Sequence, residues 1–203
     1  MKPLRKIAAA SAAAAALCLA QGVTAAACDE HDPAASFTAS VRSSTAKYLS
    51  LTVAKKAGYS ILADSAGNAC IAEPGMGAMG VHYMKDDLVK DPAIDAKEPE
   101  ALVYAPDENG RLRLAALEYV VIQGDWNARH IPPANLSARA GAHESIAPPW
   151  LFGHDFNFTD APNRYGLPPF YSLHVWLWED NPAGTSEMWN PSVRCDPPAL
   201  DRE

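Results

Sequence analysis

Residues 100–122, EALVYAPDENGRLRLAALEYVVI, constrain the fold more than any other stretch of this chain. Two runs rich in β-branched and aromatic residues flank PDENG, a cluster that favours a tight reversal. The pattern predicts an antiparallel hairpin with strands at about 101–105 and 111–122. In strict alternation, Leu112, Leu114, Ala116, Glu118, Val120 and Ile122 share one face of the second strand. A carboxylate therefore stands in an apolar row. Burying it is costly unless it is paired or bound to a metal.

Two further strands follow from the same reasoning. One is Met79 to Met84, at the end of the Gly-rich stretch 60–80, which itself reads as a loop. The other spans about 170–178 and carries YSLHVWLW. Upstream, DPAASFTASVRSSTAKYLSLTVAKKAGY reads as one long helix. Asp32 would cap it, Pro33 fits its first turn and Gly58 its stop. Phe37, Val41, Thr45, Tyr48 and Leu51 fall on one helical face. Residues 123–169 hold too many prolines for regular structure and read as long Pro-rich loops. The expected architecture is α+β: one long N-terminal helix packed on a small antiparallel sheet of about four strands.

The first 27 residues have the form of a signal peptide: a basic start, an apolar run from Ile7 to Ala20, then small residues. The rest, 28–203, reads as a single exported domain, periplasmic or secreted. The run is too short for a bilayer span, and no later stretch predicts a transmembrane segment. The leader takes three of the 17 Lys and Arg and none of the 24 Asp and Glu, so the mature formal charge is about −10. Without a basic cluster, nucleic acid is excluded as a partner. Cys28, Cys70 and Cys195 remain after cleavage. The favoured pairing is a Cys70–Cys195 disulfide. Cys28 is then free, or the lipidated first residue of a lipoprotein, although AAAC lacks the large aliphatic residue such a site prefers. The alternative pairs Cys28 with one of the others.

His82, Glu118 and His174 each lie within a predicted strand. If the strands are neighbours and the side chains share a face, two imidazoles and one carboxylate meet. That set suits Zn, Fe or Mn. The plainer reading is that each finds a hydrogen-bond partner in the core. Met76 and Met79, at three-residue steps before His82, offer a soft set for Cu. Trp176 and Trp178 alternate with His174 and would line a pocket for a small molecule, or simply cover the sheet. His130, His143 and His154, in the Pro-rich segment, are candidate acid–base groups or solvent-facing residues. His31 reads as part of a solvated terminus. The sequence holds no nucleophile elbow, P-loop or dinucleotide fingerprint.

The ordered series AGY, GMGAMGVHYM, PEALVYAPDENGRLRLAALEY, PPWLFG, YSLHVWLWEDNPAG and WNPSVRC resembles a family of uncharacterised exported bacterial proteins, from about Lys47 to Cys195. The resemblance implies an exported single domain and no particular activity. Three functions are expected from the residues: binding of a metal or small ligand at His82, Glu118 and His174; a metal-assisted hydrolase or oxygenase using that cluster; or a structural module in which the three residues only hydrogen-bond.

Overall fold

A computed structural model describes residues 32–130 and 146–195. The leader, Cys28, His31 and His143 lie outside the described residues. The long helix of the sequence reading is in fact two helices. α1 spans Pro33–Thr45, with the Asp32 carboxylate accepting from the Ala34 N–H. A 3-10 turn follows over Ala46–Leu49, and α2 over Leu51–Lys56. The break has a local cause. The hydroxyls of Ser44 and Thr45 both bond back to the Val41 carbonyl, at 2.9 and 2.8 Å, which bends helices and competes with their ladder. Ser50 is extended (φ −93°, ψ 111°), and its carbonyl opens α2 by accepting from Val53 and Ala54.

Among the described residues the sheet also exceeds the sequence reading, with seven strands rather than about four. They are β1 (Ser60–Ile61), β2 (Cys70–Glu73), β3 (Gly77–Met84), β4 (Ala101–Pro106), β5 (Leu112–Ile122), β8 (Asn157–Thr159) and β9 (Phe170–Val175). A separate pair joins β6 (Trp150–Leu151) to β7 (His154–Asp155). The central order is β3-β4-β5-β9, antiparallel throughout, with β1 and β2 beside β3 and β8 beside β9. The added strands hold two to four residues, too few for alternation to show in sequence. Short helices α3 (Asp86–Val89) and α4 (Gln123–Arg129) follow β3 and β5.

Two glycines turn the Gly-rich stretch into strand rather than loop. Gly77 and Gly80 hold φ near +100°, the left-handed region. A Cβ at Gly77 would lie 2.0 Å from the Asn190 carbonyl oxygen, and one at Gly80 2.7 Å from that of Tyr104. The C-terminal segment can therefore close on β3, where Ala78 and Asn190 exchange backbone hydrogen bonds. Asn190 is fully buried. Its side chain donates to the Asp180 carbonyl and accepts from the Ser192 N–H. A disulfide between Cys70 and Cys195 fixes that segment onto β2, across 125 residues of chain. Such bonds persist outside a reducing cytosol. Among the described residues, no helix is long and apolar enough to cross a membrane.

One sheet face meets the helices. Val41, Tyr48 and Ala54 pack there with Val81, Leu102, Tyr104, Leu117, Tyr119, Leu173 and Val175. The opposite face carries two apolar clusters. One gathers Ala78, Val103, Ala116, Trp176 and Val193; the other Met84, Ala101, Val120 and Phe170. The register shifts at Ala115, since Val103 pairs with Ala116 but Tyr104 with Leu114. This bulge corrects the expected alternation. Leu114 crosses to the helix-side core with Leu112 packed against it, while Ala116 and Val120 stay opposite.

Candidate metal centre

Between the two apolar clusters lies a polar island. On β3, His82 falls two residues after Gly80 and two before Met84. On β5, Glu118 falls between Ala116 and Val120. On β9, His174 falls between Ser172 and Trp176. Period-two alternation thus puts all three on the face away from the helices. Register does the rest. Glu118 pairs directly with His174, and Ala101 of the intervening β4 pairs with Glu118. His82 pairs with Val103 of β4, so it meets Glu118 on the diagonal, past the small side chain of Ala101.

The distances are short. His82 Nε2 lies 3.1 Å from His174 Nε2 and 3.2 Å from Glu118 Oε2. His174 Nδ1 lies 3.4 Å from Glu118 Oε1. The rings of His82 and His174 meet edge to face, centroids 5.2 Å apart. His82 and His174 are each 2 % exposed, and Glu118 is 8 % exposed. Among the described residues, this is the group of His, Cys, Asp or Glu whose donor atoms converge closely enough for a metal ion.

Burial would raise the Glu118 carboxyl. The His174 and His82 imidazoles, with hydrogen bonds from His82 and the Ser172 hydroxyl, outweigh it and hold the group low, at about 2. Burial pushes the His174 imidazole down to about 4, against the pull of Glu118 and with the help of His82. At neutral pH the island thus contains a carboxylate and a neutral His174, the states that ligate metals. Nδ1 of His174 is oriented by Glu118. Nδ1 of His82 is buried without a partner among the described residues, a costly state for a polar atom.

A small cavity opens beside the island. Leu62, Met84, Tyr165 and Leu167 wall it, and His82 and Glu118 form its polar side. The space free to a water-sized guest is about 10 Å³, room for roughly one water. Tyr165 and Leu167 come from the Pro-rich segment, so that segment covers the site.

The remaining sequence candidates lie elsewhere. Met76 is exposed and Met79 buried, and neither lines the cavity; the thioether that does is Met84. Trp176 stacks on His174 at 6.3 Å between centroids and packs in the first of the two apolar clusters. Trp178 joins the helix-side core beneath the Arg42 guanidinium. The two tryptophans do not share a face, because β9 ends at Val175. The N–H groups of Trp178 and Glu179 then both turn onto the Ala115 carbonyl left free by the bulge. His130 stacks on Trp126 at the surface, and His154 is exposed on β7.

The sequence places Ser172 on the face of His174, but it does not mark Tyr165 as part of this site. Ser172 shows a signal, since it precedes His174 by two on the same face. Tyr165 shows none, because a loop aromatic carries no period. Nor does any signal mark Glu100, 1 % exposed, which accepts from the Val120 N–H at 3.0 Å. Burial pushes its carboxyl up to about 8, with the Glu118 and Asp91 charges adding to the rise.

No protein-family model matches the chain, and comparison with curated proteins and with solved structures finds no significant match.

Proposed function

We propose that this is an exported protein that binds a divalent transition metal through His82, Glu118 and His174. The observation that carries the reading is the convergence, inside the protein, of one donor atom from each of three residues, all within 4.8 Å of one another. Ligands on a tetrahedral ion with bonds of about 2.0–2.1 Å stand about 3.3–3.4 Å apart, and those at right angles about 2.9–3.0 Å. The edges from His82 Nε2, 3.1 and 3.2 Å, fall between the two. An ion there would take up both Nε2 lone pairs and one carboxylate oxygen. The adjoining space would admit one further small ligand. Two imidazoles, a carboxylate and an open position suit Zn, Fe or Mn.

The disulfide supports an extracytoplasmic setting, in keeping with the signal-like leader and with the resemblance to exported proteins. An open position beside three ligands is also what metal-assisted hydrolysis or oxygenation requires. The small cavity favours binding over turnover of an organic substrate.

Elemental analysis of the mature protein, purified without an affinity tag, tests the reading beside a His82→Ala/His174→Ala variant. The expected result is near-stoichiometric metal in the native protein and its loss from a variant that still melts cooperatively. Native protein with no metal, and no melting shift on adding Zn, Fe(II), Mn or Cu, would make the island a hydrogen-bonded core network.

A further inference from the structure

The chain carries several buried tyrosines. Tyr59, Tyr104 and Tyr119 each donate the hydroxyl to a backbone carbonyl, of Pro99, Tyr48 and Ala96, at 2.7–2.8 Å. Tyr165 differs. Its hydroxyl bonds to nothing among the described residues, yet its ring walls the cavity whose polar side is His82 and Glu118.

The segment carrying Tyr165 is built, not loose. The Asn163 side chain donates to the carbonyls of Asp160 and Leu167, at 3.2 and 2.8 Å, and accepts from the N–H groups of Tyr165 and Leu167, at 3.2 and 3.3 Å. The Ser65 N–H then ties the Arg164 carbonyl to the loop after β1, at 2.8 Å. The Asn163 turn thereby fixes Tyr165 in the wall of the cavity that His82 and Glu118 also line.

We propose that Tyr165 supplies a fourth donor, a phenolate, to a metal at His82, Glu118 and His174, and that the site therefore selects a hard, highly charged ion of the Fe(III) class. The inference rests on the three-ligand metal site proposed above and changes its occupant: with a phenolate as fourth ligand, the site prefers Fe(III) to the divalent ions that three ligands suit. Two anionic oxygens beside two imidazoles suit a harder and more highly charged ion than the imidazoles alone would. The binding step is an exchange without redox change. The phenol O–H bond breaks, its proton leaves to solvent, and the oxygen lone pair forms the bond to Fe(III), supplied in that oxidation state. Met84, in the same cavity, offers the competing soft donor, which would favour Cu(I).

The test loads metal-stripped full-length mature protein with ferric citrate in air. Phenolate bound to Fe(III) gives a visible charge-transfer absorption that imidazole and carboxylate do not. The expected result is near-stoichiometric iron and a coloured protein. Resonance Raman excited in that band should show phenolate ring modes, a readout that needs no variant. Tyr165→Phe should lose the band while retaining Zn through the other three ligands. Colourless iron-loaded protein, or a band that survives Tyr165→Phe, would overturn the assignment. Retention of Zn or Cu(I) with no Fe(III) band would also overturn it while leaving the metal reading standing. Retention of no metal at all would bring down both.

Discussion

At the scale of single residues, the buried ionisable groups set how stability should vary with pH. His174 is neutral in the fold down to about 4, against an ordinary value of 6.5. The unfolded chain therefore binds the extra proton, and stability held above pH 6.5 is lost as pH falls through 4. Glu118, lowered from 4.5 to about 2, adds to that acid loss below 4.5. Glu100 acts in the opposite sense. Its folded value, about 8 against 4.5, means that the folded state holds the proton, so stability is lost as pH rises from 4.5 through 8. Between 4.5 and 6.5 His174 and Glu100 cancel. Between 6.5 and 8 Glu100 acts alone, costing about 2 kcal/mol at roughly 1.4 kcal/mol per proton and pH unit. Urea unfolding of metal-free protein should show a plateau and then an alkaline decline. Glu100→Gln should abolish the decline and convert the plateau into a rise. A decline that persists in the variant would assign it to another group.

At the scale of elements, β3 depends on glycine where the chain passes closest to its neighbours. Gly80 has φ +102°, and an added Cβ would press on the Tyr104 carbonyl of β4 at 2.7 Å and on Val103 Cγ1 at 3.1 Å. Gly80→Ala should therefore cost about 2–3 kcal/mol, through left-handed strain and the clash together, lowering Tm by roughly 5–10 °C. Calorimetry checks this, and an unchanged Tm would show that β3 adjusts without Gly80. The same variant should weaken metal binding, since His82 is only two residues along. This spacing also explains which parts of the site were legible. Glu118 and His174 were legible because each sits in a strand long enough for alternation to place its face. His82 was legible from the strand that ends the Gly-rich stretch. The bulge at Ala115 was not, because an extra alanine beside Ala116 leaves no trace in the hydrophobic pattern. Tyr165 was invisible for a different reason. The turn built by Asn163, not a repeating pattern, decides its position.

At the scale of the whole molecule, the disulfide joins the second strand to the C-terminal segment that Asn190 docks on β3. Closing 125 residues of chain should stabilise the fold by about 4–5 kcal/mol on chain entropy. Cys70→Ser/Cys195→Ser should lose about that amount in denaturant unfolding, and reductant should reproduce the loss in the native protein. An equal stability with and without the bond would mean that the Asn190 contacts alone hold the segment. The sequence by itself determined the hairpin and the strands bearing His82 and His174, and it favoured the Cys70–Cys195 pair while leaving a pairing with Cys28 open. Each of these rests on local periodicity, turn chemistry or a small set of cysteines. Only the tertiary structure decided that β3, β4, β5 and β9 are neighbours in that order. It also sent Trp176 and Trp178 to different cores and brought a loop tyrosine into the wall of the cavity beside the island. Strand order and loop path follow from long-range pairing and packing, which have no period to read along the chain.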